Sequence, residues 1–149
     1  MRWFSMLPAL LGVAAVLQGG LNRQISGHWG LAAAALFNTV VLLIAVCCLL
    51  AFARLRPEWL PPFFHLRGSL AELRWWWIFP GLCGLALVAG IPWTISRIGA
   101  FPVFLGLLGG QLLMSLAWDA FVEHRPVTLV RLVGAGLALL GAWLVGKRG

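Results

Sequence analysis

Long apolar runs alternate along this chain with short polar breaks. The runs cover about Trp3–Asn22, Trp29–Ala53, Trp75–Trp93, Ile98–Trp118 and Val127–Gly146. Each is rich in Leu, Ala, Val and Gly, and none shows the strict polar/apolar alternation of a membrane barrel strand. A helix of about 20 mostly apolar residues spans the roughly 30 Å hydrocarbon core of a bilayer. Unpaired backbone amides are too costly in lipid for an open alternative. The pattern predicts an all-α integral membrane protein with five transmembrane helices in one domain, residues 1–149.

Tryptophan supports the count. Its ring is apolar and its indole N–H polar, so it favours the headgroup level. Eight of the nine tryptophans lie at or near a run end, and only Trp59 falls elsewhere. The first run reads as a span rather than a cleaved leader, because VLQGGLNRQ offers no small-x-small cleavage site. One connection is long, residues 54–74. Pro57, Pro61 and Pro62 break any continuous helix there. The remaining Trp, Phe and Leu suggest a segment lying on the membrane surface.

Composition agrees with a lipid solvent. The chain is 62% hydrophobic and 10% charged, against about a quarter charged in a soluble domain. The net charge of +7 does not point to nucleic acid. The basic residues fall between apolar runs, where anionic lipid headgroups attract them. Five spans put the termini on opposite sides. The N-terminal side then holds seven arginines, Arg131 among them, and the other side holds Arg23, Arg97, Lys147 and Arg148. The bias leans toward an N-terminus in the cytoplasm and is weak enough to allow insertion both ways. Cys47, Cys48 and Cys83 fall inside spans without metal-ligand spacing and read as small apolar fillers. No nucleophile motif, phosphate loop or dinucleotide fingerprint is present, so neither an enzyme nor a cofactor is expected.

The informative residues are the polar and small ones inside the runs. Gln18 and Asn22 are four apart and share a helix face. Gln111, Ser115 and Asp119 recur at the same interval. In lipid such groups face the protein interior or a water-filled cavity, either as interhelical hydrogen-bonding groups or as a substrate pathway. Asn38 reads as the former, while Gln111, near mid-span, fits either. His28, His65 and His124 are placed in solvated loops. Asp119, at a membrane edge, is an interfacial carboxylate or a gate or proton-linked site. Gly106 and Gly110 form a small-xxx-small pair that lets helices approach closely, within the subunit or between subunits. Pro8, Gly12, Ala15 and Gly19, and likewise Gly134, Ala138 and Gly141, place small residues on one face of the first and last spans.

Four stretches carry a family resemblance: QGGLNRQISGHWGLAAAALFNTVV, WWWIFPGLCG, ISRIGAFPVFLGLLGGQLLMSLAWDAF and PVTLVRLVGAGLALLGAWLV. Together they resemble the YdcZ-like family of small bacterial inner-membrane proteins in the drug/metabolite transporter superfamily. The Q-x-x-x-N-R start and the G-Q-x-x-x-S-x-x-x-D stretch are the most specific parts. The resemblance implies a five-helix half-transporter in the inner membrane, with Gln18, Asn22, Arg23, Gln111, Ser115 and Asp119 at the matching positions. It supplies no substrate. The chain lacks the membrane-embedded glutamate that four-helix multidrug members carry in their first helix, and Gln18 cannot titrate in its place.

These readings combine into an expectation of a small-molecule transporter, most simply an exporter, working as an antiparallel homodimer or as a heterodimer with a similar five-helix protein. Gln18, Asn22, Gln111 and Ser115 would line the pathway, and Arg23 to His28 would mark where the first helix meets water. Asp119 would pair with Arg97 or Arg23 of the opposite copy as a gate or ion-coupling group, and Gly106 and Gly110 would pack helices. Two alternatives remain open: a non-transporting accessory subunit, and a component that flips lipid carriers.

Overall fold

The structure is a computed structural model, and it describes residues 6–65 and 74–146. Five α-helices account for most of them: α1 (Leu7–Trp29), α2 (Leu31–Leu55), α3 (Phe79–Ile98), α4 (Ala100–Phe121) and α5 (Leu129–Gly146). Short 3-10 turns at Pro57–Trp59, Pro62–Phe64 and Trp75–Ile78 complete the regular structure. No strand occurs among the described residues.

Side-chain exposure identifies the solvent. Leu42, Leu43 and Ile44 on α2 are consecutive, so they point about 100° apart around the axis, yet all three are exposed. A helix that is apolar on every side is at home in a membrane. Three segments are long and apolar enough to cross one: α2, Trp75–Ile98 and α4. The apolar part of α5, Leu129–Leu144, is shorter. In α1 the sequence Gln18-Gly-Gly-Leu-Asn-Arg-Gln dilutes the apolar run.

The helices extend past the expected span ends. Residues 23–28 are not a loop, since α1 runs through them to Trp29, and His28 sits exposed in its last turn. Residues 94–97 are likewise helical. Each of these two connections shrinks to one glycine. Gly30 adopts φ 83°, ψ 158° and Gly99 φ 84°, ψ 164°. That region of backbone space is essentially closed to residues with a Cβ. Both amides still close the preceding helix, Gly30 N–H to Ser26 O at 3.0 Å and Gly99 N–H to Ile95 O at 2.9 Å. Polar residues alone do not stop a helix. A backbone that turns into a glycine-only conformation does.

The chain divides into two compact units, one of residues 17–93 and the other of residues up to 16 and from 94 onward. In the first, small residues meet where α1 faces α2: Gly19 from α1, and Ala34 and Ala35 from α2, are buried. In the second, α4 packs on α5, burying Val103, Gly109 and Ala135. Cys47, Cys48 and Cys83 are exposed free thiols. They do not fill packed space as expected, because these helices bury only narrow stripes.

The long connection is tied locally. His65 Nε2 lies 2.9 Å from Pro57 O and 3.3 Å from Leu60 O. Both partners are carbonyls, so this nitrogen carries the proton and donates. His65 is therefore held by backbone, although its side chain stays exposed. Trp59, Phe63 and Phe64 are exposed on this segment, while residues 66–73 lie outside the described set.

Candidate functional site

The polar residues of α1 converge on one group of α2. Asn38 Oδ1 accepts from Gln18 Nε2 and from Asn22 Nδ2, each at 3.3 Å. Gln18 lies eleven residues from either end of α1, about 16 Å along the axis in each direction. Asn22, one turn later on the same face, is 6% exposed. The glycine and alanines between the helices let the backbones come close enough for short carboxamides to meet. Thr39, next to Asn38, turns its hydroxyl onto its own helix and donates to Ala35 O at 2.8 Å.

The cluster is incompletely satisfied. Asn38 Nδ2 is buried and has no hydrogen-bond partner among the described residues. Leaving such a donor unpaired costs about 1–3 kcal/mol. The two bonds to Oδ1 are long and contribute on the order of 0.6–1 kcal/mol each between membrane helices. The arrangement is therefore poorly explained as glue alone.

No charge is aimed at the cluster from its neighbour in sequence. Arg23 is half-buried, and its Nη1 lies 3.5 Å from where a Cβ on Gly27 would stand. The side chain thus runs along α1 toward the helix end, as a snorkelling arginine does.

Of the expected α4 residues, only Asp119 bonds to another helix among the described residues. Asp119 turns toward α5, where its Oδ2 accepts from Arg131 Nη1 at 3.0 Å. Arg131 lies in the first turn of α5. The expected pairing of Asp119 with Arg97 or Arg23 of another copy therefore meets a competitor within the chain. The α4–α5 connection adds a bond from Arg125 N–H to Asp119 O at 2.8 Å and an ion pair between Arg125 and Glu123 at 2.9 Å. His124, in that turn, takes φ 52°. Arg97 is exposed near the end of α3 and makes no ion pair among the described residues.

Ser115 and Gln111, one and two turns before Asp119 along an adjoining strip of α4, are both exposed. Ser115 donates to Leu112 O of its own helix at 2.9 Å. Gln111 has no partner among the described residues. Gly106 and Gly110 lie elsewhere on α4, roughly 100–180° around the axis from Gln111 and Ser115, and an added Cβ there would meet nothing within 4 Å. They do not pack against α5. Gly109 does, and a Cβ there would stand 3.0 Å from Leu139 Cδ2. The small-xxx-small spacing identified an uncovered face, while the single buried glycine beside it escaped the motif. Along the other two small-residue faces, Gly12, Gly134 and Gly141 are also open and only Gly19 is buried.

Sequence reading missed two contacts. Asn38 was legible as an intramembrane polar residue, but its role as shared acceptor was not. Arg131 follows the Pro-Val-Thr-Leu-Val start of the last run. Its place as the third residue of α5, opposite Asp119 near the end of α4, was the available signal.

Comparison with known proteins agrees with this architecture. A family described as "Putative inner membrane exporter, YdcZ" matches residues 3–144. The inner membrane protein YdcZ of Escherichia coli (strain K12) is 33% identical over 82 residues, which cover 53% of this chain and 55% of YdcZ. The aligned stretch thus takes in about half the length of that relative. A UPF0060 membrane protein of Ectopseudomonas mendocina (strain ymp) is 33% identical over 89 residues, 55% of this chain and 81% of that protein. No solved structure matches the chain.

Proposed function

Because this chain belongs to the YdcZ family of inner-membrane proteins, we propose that it exports a small molecule and does so as an antiparallel dimer of five-helix subunits. The observation that carries this reading is the carboxamide cluster Gln18–Asn22–Asn38, with Gln18 at the midpoint of α1 and one buried amide unsatisfied. Transporters built from inverted repeats hold their substrates near the bilayer midplane, at the repeat interface. Five helices supply the inversion when two copies insert oppositely. Gln111 lies within one residue of the middle of α4, and two helices that cross antiparallel at their midpoints keep such residues facing each other. The open Gly106 and Gly110 positions favour a partner helix on their own side of α4.

A second reading has an observation of its own. Gln18 and Asn22 both have partners within the chain, as in an accessory subunit whose polar groups only join helices. Purified protein in liposomes separates the two. Under the export reading, an uptake screen across small solutes finds flux that Asn22→Ala or Gln111→Ala reduces at least tenfold. Labelling of a tagged N-terminus from outside whole cells and from inside-out vesicles should find it on both faces. Absence of flux across the screen sinks export, and an N-terminus confined to one face sinks the antiparallel homodimer.

A further inference from the structure

The carboxamide cluster can be asked which chemistry it would accept. Its three side chains are all neutral. Gln18 and Asn22 spend one N–H each on Asn38 Oδ1. Asn38 Nδ2 keeps both of its protons free in a place water does not reach.

Among the described residues, no carboxylate bonds to the cluster. Asp119 is engaged with Arg131 on α5, and Glu58 and Glu123 lie beside Arg56 and Arg125. An anion finds no cation aimed at the cluster, since Arg23 runs away toward Gly27. An unpaired charge near the middle of a membrane helix is expensive. Neither kind of ion is matched.

Turning the Asn38 amide over would exchange its two atoms and leave a buried oxygen where the nitrogen now sits. A ligand with both an acceptor and a donor satisfies either arrangement. A carboxamide or a hydroxyl group has both.

We infer that the Gln18–Asn22–Asn38 cluster is a binding site for an uncharged molecule bearing a carboxamide or hydroxyl group, whose oxygen takes the free hydrogens of Asn38 Nδ2 when α1 and α2 part to admit it. This rests on the export reading for its purpose and on the unsatisfied amide for its chemistry. Leu17, Leu21, Phe37 and Val41 stand next to or one turn from the cluster residues along α1 and α2, and all are exposed. They favour a ligand whose remaining surface is apolar.

Three probes share one ring and differ only in head group: benzamide, benzoate and benzylammonium. Equilibrium binding to the full chain in detergent is the measurement. Benzamide should bind at least tenfold more tightly than either ion, and Asn38→Leu should weaken it at least tenfold. Asn38→Asp keeps the side-chain size and puts a carboxylate in place, so it should reverse the order in favour of benzylammonium. This variant keeps the test decisive should the leucine variant fail to fold.

Several outcomes overturn the proposal. They are equal or tighter binding of an ion, indifference of benzamide to both substitutions, and failure of all three probes to bind. So does a change in particle size on Asn38→Leu with benzamide binding intact, which would assign the free amide to a subunit contact. Flux keeps the two readings apart. A charged solute moved in an Asn22-dependent way would leave export standing and remove the neutral class. Benzamide bound at Asn38, with no solute moved at all, would leave the site standing and remove export.

Discussion

Gly109→Leu tests the α4–α5 contact on which the second unit rests. A Cβ at 109 would stand 3.0 Å from Leu139 Cδ2, against about 3.8 Å for a relaxed carbon–carbon contact. The shortfall is on the order of 0.8 Å before the rest of the leucine is placed. Leu139 can yield by leaving its rotamer, at about 0.5–1.5 kcal/mol. Otherwise the helices separate, and overpacking of this kind costs about 1–3 kcal/mol. A helix-favouring residue in place of glycine returns up to about 1 kcal/mol. Taking the middle of the overpacking and propensity ranges, about 2 kcal/mol lost and about 0.5 returned, the net expectation is a loss on the order of 1.5 kcal/mol. At about 2–4 °C per kcal/mol for a chain of this size, the melting temperature should fall by roughly 3–6 °C. The nine tryptophans provide the fluorescence signal for a thermal melt in detergent. Gly110→Leu is the internal control, because its Cβ meets nothing within 4 Å, so the subunit itself should melt as the parent does. A Gly109→Leu protein that melts like the parent while Gly110→Leu is destabilised would refute the assigned packing face.

Three further outcomes follow from the same geometry. Gly110→Leu should shift the protein toward monomer on size exclusion in detergent, and an unchanged dimer would remove this face of α4 from the interface. Gln111→Ala and Asn22→Ala should each cut solute flux at least tenfold in liposomes while insertion and particle size stay the same; normal flux in both would remove them from the pathway. Asp119→Asn should cost about 0.5–1 kcal/mol, the scale of a partly exposed ion pair, and the exchange Asp119→Arg with Arg131→Asp should recover most of the loss in a thermal melt. Additive losses in that double variant would show that the pair is not coupled, reopening Arg97 or Arg23 of another copy as the partner of Asp119.

The sequence by itself determined the solvent, the number of helices and the intramembrane polar positions. These follow from the length of the apolar runs and from the few residues that interrupt them, quantities that need no neighbour to be read. It also marked Gln18 and Asn22 as one face, because a spacing of four is fixed by helix geometry. What it left open was which side of each helix meets which other. In water an amphipathic stripe reveals the buried face, but here α2 is apolar on every side, and lipid does not distinguish a packed leucine from an exposed one. Only tertiary structure therefore decided that Asn38 is the acceptor for both α1 carboxamides, that Asp119 turns to Arg131, and that Gly109 rather than Gly106 or Gly110 meets α5. The two glycine corners are the intermediate case. Gly30 and Gly99 fall just inside the apolar runs Trp29–Ala53 and Ile98–Trp118, each the second residue of its run, and only their backbone angles show that the helices run up to them and stop. A glycine permits that turn without announcing it, because the same residue also stands inside the helices, as at Gly12 and Gly106.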